Sequence, residues 1–132
     1  MGNRVARQLW GIAYWLVFRP SPRNLHGWRN FVLRVFGARL HRTSRVYPRA
    51  QIWAPWNLVM GEHSCIGDDV DVYCVAPVSI GAYSTVSQYS YLCAATHDEQ
   101  DPRHPLVTQP ITIGQRCWIA ADVFIEIGRA HV

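Results

Sequence analysis

The most regular feature of the chain after residue 45 is an aliphatic side chain at every sixth position. Most of these residues are followed four positions later by a small or β-branched residue, and several are followed directly by glycine or alanine. They fall into blocks offset by two residues: Val46, Ile52, Leu58; Met60, Ile66, Val72, Val78; Ile80, Val86, Leu92; Ile113, Ile119, Ile125. The spacing is neither that of an alternating strand nor that of a helix.

A period of six predicts a chain that runs straight, turns a corner and runs straight again, with the aliphatic side chain pointing inward. Three such faces make a triangular coil of about 18 residues, and stacked coils bury the aliphatic column by parallel pairing. From Met60 to Ile80 there are two residues more than three hexads, and we place them at a corner. Glycine suits a corner that needs a positive φ or a close backbone approach. We therefore predict a parallel β-helix over residues 46–125, and not a sandwich of alternating strands.

Several segments of the chain resemble one acyltransferase family. They are residues 18–23, 27–29, 36–38, 54–58, 79–81, 86–88, 92–98, 110–114 and 118–120. Thr-His-Asp at 96–98, followed by a loop and Pro-Ile-Thr-Ile-Gly, is more specific than the hexads, which indicate only the fold. The chain is similar to the hexapeptide-repeat acyltransferases, and among them to the colanic acid subgroup related to the maltose and galactoside O-acetyltransferases. The resemblance implies an all-β, left-handed parallel β-helix with short N-terminal helices.

The same resemblance implies a function. It implies an O-acetyltransferase that moves an acetyl group from acetyl-CoA directly to a sugar hydroxyl in surface polysaccharide biosynthesis. Acetyl-CoA is then a co-substrate, no metal is expected, and the partners are a saccharide acceptor and two further copies in a homotrimer with active sites between subunits. We expect the protein in the cytoplasm.

A loop at residues 98–109 carries no hexad and interrupts the stack directly after His97. Loops that leave a rigid scaffold often carry binding residues. A neutral imidazole can take the proton of a sugar hydroxyl at neutral pH, and the resemblance places the catalytic base at His97. The alternative is a histidine that caps a coil corner. Asp98 either orients the imidazole or merely starts the loop.

Three further residues are candidates for substrate binding. Tyr73 and Gln88 are expected to border the acceptor pocket. Trp118 either lines the cysteamine end of the donor tunnel or covers the outside of the coil. The asparagine that related sugar acetyltransferases often carry in the preceding coil has no clear counterpart in residues 70–74.

Charge divides the chain into two unlike halves. Residues 1–50 contain ten arginines and no acidic residue, whereas residues 51–132 contain three arginines and nine acidic residues. No nucleic-acid-binding module accompanies the basic half, so nucleic acid is not expected as a partner. The arginines, with Trp10, Tyr14 and Trp15, could instead rest on an anionic membrane, at its inner face.

Residues 1–45 are predicted to form a basic helical segment. Apolar runs predict helices at 9–18 and 25–36, the second with Asn24 as N-cap and Gly37 as C-cap. The alternative to membrane contact is that both helices cover the open end of the first coil, as repeat stacks require.

The hexad pattern fails at the C-terminus. A hexad opening at Ile125 would need a small residue and an aliphatic one where the chain has Arg129 and His131. Residues 126–132 also look like the translation of a sequencing-library adapter. We therefore expect a non-native tail on a truncated reading frame.

Two rival functions stay open. A γ-carbonic-anhydrase-like metalloenzyme needs three convergent histidines, two of them five positions apart, and the six histidines include no such pair. An inactive or scaffold β-helix protein is the other rival.

His63 and His104 are most simply surface residues. The four cysteines form no Cys-x-x-Cys pair, so we expect reduced thiols and no zinc ribbon.

Overall fold

The computed structural model describes residues 2–97, 102–103 and 106–126, with only the backbone described at 2, 3, 96, 97, 106 and 107. Helix α1 (Gly2–Ala13) continues into a π-helical turn at Tyr14–Phe18, and helix α2 is His26–Val35. In the described part of the chain, every helix is too short or too polar to span a bilayer. A 3₁₀ turn lies at Pro55–Asn57. The strands are β1 (Arg39–Leu40), β2 (Arg45–Val46), β3 (Gln51–Ile52), β4 (Leu58–Met60), β5 (Cys65–Ile66), β6 (Asp71–Tyr73), β7 (Val78–Ile80), β8 (Thr85–Val86), β9 (Tyr91–Cys93), β10 (Ala95–His97), β11 (Leu106–Thr108), β12 (Ile111–Ile113), β13 (Trp118–Ile119) and β14 (Phe124–Glu126).

Twelve of the described strands form three parallel sheets of four strands each, in the orders β1-β4-β7-β12, β2-β5-β8-β13 and β3-β6-β9-β14. Among these twelve, strands that follow one another in the chain lie in different sheets, and each strand pairs with its counterpart in the adjacent coil. Met60 pairs with Ile80, twenty positions on, and Ile80 pairs with Ile113, thirty-three positions on, because β10 and β11 are inserted there. The predicted parallel β-helix is confirmed.

The aliphatic residues of the hexads form the inner column. Val46, Ile66, Val72 and Leu92 are completely buried. The placement of the two extra residues at a corner is wrong, because each corner between β4 and β7 has four residues. The extra residues lengthen strands instead, so that β7, for example, points both Val78 and Ile80 inward.

The corner glycines are required by close approach and not by a positive φ. A Cβ on Gly81 would lie 2.5 Å from backbone atoms of Gly114 in the next coil, and one on Gly61 would lie 2.8 Å from the Ala82 nitrogen. The corner residues that have a positive φ are not glycines. They are His63, Asp69, Tyr83, Tyr89, Arg116 and Asp122. Glycine therefore sets how closely adjacent coils can stack.

The N-terminal helices cover the first coil. That coil has no coil below it, so part of its backbone lacks a ladder partner. Four of its carbonyls accept hydrogen bonds from helix side chains instead: Ile52 from Trp10, Val46 from Arg29, Ser44 from Asn30 and Leu40 from Arg34. The interpretation of the helices as an end cap is confirmed.

The helix boundaries differ from those expected. Helix α1 begins at Gly2, well before the predicted start, and the first coil already begins at β1, inside the segment predicted to be helical. Asn24 is not the N-cap. The Leu25 amide bonds to the Pro22 carbonyl in a turn, so the helix begins later, with Leu25 at its N-cap and no side-chain cap. The C-cap of α2 is Phe36 and not Gly37 as predicted; Gly37, with a φ of 97°, follows it and ends the helix.

Candidate active site

The excursion is a β-hairpin that begins three residues before the predicted loop, because its first strand, β10, is Ala95–His97. Strand β10 leaves the column directly after β9 and pairs antiparallel with β11, with His97 opposite Leu106. Residues 106–108 are therefore strand, where the sequence predicted loop. The backbone of His97 lies at the end of β10, whereas its side chain, and all of Asp98, lie outside the described residues.

An aromatic cleft of about 320 Å³ lies between α1 and the sheet that contains β3 and β6. Tyr73 lines it. The ring of Trp53 meets the ring of Tyr73 edge to face at 5.6 Å, and the Arg7 guanidinium lies 3.6 Å from the centroid of Trp53. The wall also includes Trp10, Tyr14, Trp15, Gln51 and Asp71.

Asp71 is the acidic group of this cleft. It is half-buried, and its side chain makes no hydrogen bond or ion pair with any described residue. Burial raises the pKa of its carboxyl group above the ordinary value. A carboxyl group that lies among aromatic rings and has free hydrogen-bond acceptor oxygens is suited to a ligand that carries hydroxyl groups.

The cleft and the hairpin belong to the same side of the β-helix. In the register of the sheet, Asp71 lies beside Tyr91 and Tyr73 lies beside Cys93, after which the chain enters β10. Burial, and then the neighbouring Cys93 thiol and Asp71 carboxyl, raise the pKa of Tyr91 to about 12. Like other tyrosines at neutral pH, Tyr91 is protonated and can donate a hydrogen bond.

Gln88 and Trp118 lie together in a second groove, of about 410 Å³. Trp118 is 74% exposed, and its indole N–H donates to the Ser87 hydroxyl at 2.9 Å. An ion pair between Arg23 and Asp68 borders the groove. The structure thus brings Gln88 and Trp118 together and places Tyr73 in the separate aromatic cleft.

Sequence reasoning missed Asp71, Gln51 and Trp53 as cleft residues. The signal was present, because Gln51 and Asp71 each precede an inward aliphatic residue and are twenty positions apart, which is one coil. Outward residues one coil apart stack on neighbouring strands. The contribution of α1 has no such signal, because it depends on how the helix packs against the sheet.

Other titratable residues do not form a further centre in the described ranges. No three histidine, cysteine or acidic side chains there are arranged to hold a metal ion. All four cysteines are unpaired. His63 is exposed and its ring is tilted against that of Tyr83 at 5.1 Å, and His104 lies outside the described residues, as do residues 127–132 of the predicted tail.

Comparison with known proteins gives the family. No family model matches the chain. Proteins named as the colanic acid biosynthesis acetyltransferase WcaF, from Escherichia coli and Shigella flexneri, are each 40% identical to it over 127 residues, which is 96% of this chain and 70% of theirs. A crystal structure of a hexapeptide-repeat containing acetyltransferase from Vibrio cholerae superposes with a TM-score of 0.82 at 22% identity, over 97% of this chain and 73% of that one. The chain therefore belongs to the colanic acid biosynthesis acetyltransferase family, and it is an acyltransferase built as a left-handed β-helix.

Proposed function

We propose that the protein transfers an acetyl group from acetyl-CoA to a hydroxyl of a saccharide used in surface polysaccharide biosynthesis. The observation that carries the proposal is the 40% identity, along nearly the whole chain, to relatives named for colanic acid biosynthesis. The aromatic cleft supports it independently, since rings with an unused carboxyl group suit a sugar.

In the proposed mechanism His97 is the general base. Its imidazole takes the proton of the acceptor hydroxyl while that oxygen attacks the thioester carbonyl. The tetrahedral intermediate then collapses, the carbon–sulfur bond breaks, and the imidazolium returns the proton to the sulfur of coenzyme A. The acetyl group passes directly to the sugar, with no acyl-enzyme. Asp98 orients the imidazole.

The two grooves offer sites for the two substrates. We assign the saccharide to the aromatic cleft, where Asp71 would accept hydrogen bonds from sugar hydroxyls and the Tyr73 hydroxyl would donate one. We assign part of acetyl-CoA to the groove of Gln88 and Trp118, whose exposed indole would cover the apolar arm of the donor. In the proposed homotrimer, neighbouring subunits complete both sites.

The test of the proposed function uses the purified protein. Thiol release from acetyl-CoA is followed with a panel of oligosaccharides of bacterial surface polysaccharides, and mass spectrometry counts acetyl groups on the product. We expect acceptor-dependent thiol release with one acetyl group gained per transfer. A folded protein that releases no thiol with any member of the panel would instead support the scaffold function.

Replacing Asp71 by Asn tests the acceptor site. We expect the KM for the saccharide to rise about tenfold, because a hydrogen bond to a charged group contributes about 1.5–3 kcal/mol. The KM for acetyl-CoA should stay unchanged. Asp69→Asn is the matched control, since Asp69 pairs with Arg49 outside the cleft and its φ of 59° suits asparagine. Equal saccharide KM values for the two variants would refute the assignment of the cleft.

A further inference from the structure

The N-terminal helices expose a large apolar surface that the fold does not use. We define the apolar helix face as the side chains of Val5, Leu9, Ile12, Trp15, Leu16, Val17, Leu25, Trp28, Phe31 and Val35, which are 39–70% exposed. Of the fifteen large apolar side chains that are exposed in the described residues, these ten lie between residues 5 and 35. Such a concentration marks an interaction site rather than scattered surface residues.

The face is continuous across both helices. The Trp28 indole N–H donates to the Val17 carbonyl at 2.8 Å, and the rings of Trp28 and Phe31 stack at 6.0 Å. A groove at the junction is lined by Leu16 and Leu25 together with Trp28. The two helices therefore present one surface.

Helix α1, together with the π-helical turn that continues it, is apolar on two opposite sides, and only one of these sides packs against the β-helix. Trp10, Tyr14 and Phe18 are buried against the β-helix, where Trp10 bonds to the first coil. Leu9, Ile12 and the residues one turn from them point the other way. Because the cap closes the end of the column, the apolar helix face forms the outer surface of that end.

The charge around this face is strongly positive. Residues 1–50 carry ten arginines and no acidic residue. Arg29 is buried, and of the other nine only Arg23 and Arg49 form ion pairs with described residues. The Arg19 guanidinium lies 4.9 Å from the centroid of the Trp15 ring, so this cation lies directly beside the apolar helix face. An apolar face bordered by arginine and tryptophan fits the interface of an anionic bilayer.

We propose that the apolar helix face binds the surface of an anionic lipid bilayer, with its apolar side chains among the acyl chains and the arginines at the headgroups. A second copy of the chain is a poorer occupant, because packing this face on itself would bring together two copies of a cap whose exposed Arg4, Arg7 and Arg34 form no ion pair with any described residue. Since α1 also lines the aromatic cleft, bilayer binding would hold that cleft at the membrane.

Vesicle flotation tests the proposal without any measurement of activity. The protein is mixed with vesicles of phosphatidylcholine alone or of phosphatidylcholine with phosphatidylglycerol, at salt concentrations of about 0.1 M and about 1 M. We expect flotation with the anionic vesicles at low salt, and at least severalfold less with neutral vesicles or at high salt. Ile12→Asp and Phe31→Asp, one on each helix, should each reduce partitioning into anionic vesicles about tenfold. Each removes an apolar side chain that would be buried in the bilayer and adds a negative charge that the anionic headgroups repel.

Tyr89→Asp is the matched control. It removes an exposed aromatic side chain outside the face, adds the same charge, and occupies a φ of 64° that aspartate tolerates. Circular dichroism confirms that each variant is folded, and the mass in solution is measured by sedimentation. The proposal is overturned if the wild type does not float with anionic vesicles, or if Tyr89→Asp loses as much partitioning as Ile12→Asp. It is equally overturned if Ile12→Asp floats like the wild type but dissociates the assembly, which would make the face an interface between copies.

Discussion

Replacing His97 by Asn is expected to lower kcat about 100-fold or more, the usual cost of losing a general base. Asparagine keeps hydrogen-bonding capacity at the end of β10 but cannot take the proton of the acceptor hydroxyl. The KM for acetyl-CoA should change little, because the base acts on the acceptor. The wild-type rate should fall as the pH drops below the range in which the imidazole is neutral, and this decline should be absent from the residual activity of the variant.

The same substitution at His63 serves as the control for this prediction. His63 is exposed at a corner, and its φ of 53° suits asparagine, so His63→Asn should keep the wild-type rate. Steady-state rates of thiol release over a range of pH compare the three proteins. If His97→Asn retains the wild-type kcat, His97 is not the base.

The column of the β-helix was predictable because its cause is local and repeated. Each hexad places one aliphatic residue inward, and Ile66, Val72 and Leu92 occupy those positions as the period requires. The position of the two extra residues was not predictable in this way. Lengthening a strand or a corner gives the same spacing along the chain, and only the paired register of Met60 with Ile80 distinguishes the two.

The site was predictable only in part, for a related reason. The Thr-His-Asp segment indicated the region of the hairpin, and the backbone of His97 ends its first strand, β10, which leaves the column directly after β9. Gln88 and Tyr73 are both predicted to border the acceptor pocket. In the structure they line different grooves, since Tyr73 lies on β6 and Gln88 lies at the corner between β8 and β9. Proximity across a corner depends on the turn, which the hexad pattern does not specify.

Arg29 connects the cap to the column without forming an ion pair with any carboxylate of the described residues. It is completely buried, and its guanidinium donates to the Val46 carbonyl at 2.6 Å and to the Ser21 hydroxyl at 3.0 Å. It also donates to the carbonyls of Pro22 and Arg23 and contacts His26 Nδ1. That nitrogen must act as the acceptor, so His26 is neutral, in agreement with a pKa lowered by burial and then by the Arg29 charge.

Arg29→Ala should lower the free energy of unfolding by about 3–5 kcal/mol, since each buried acceptor left without a donor costs about 1–3 kcal/mol. Arg34→Ala, on the exposed side of the same helix, removes one bond to the Leu40 carbonyl and should cost less than about 1 kcal/mol. Urea unfolding followed by tryptophan fluorescence measures both. Arg29→Met restores much of the buried volume but not the hydrogen-bond donors, so its free energy of unfolding should remain close to that of Arg29→Ala. If Arg29→Met instead matches the wild type, packing and not hydrogen bonding holds the cap on the first coil.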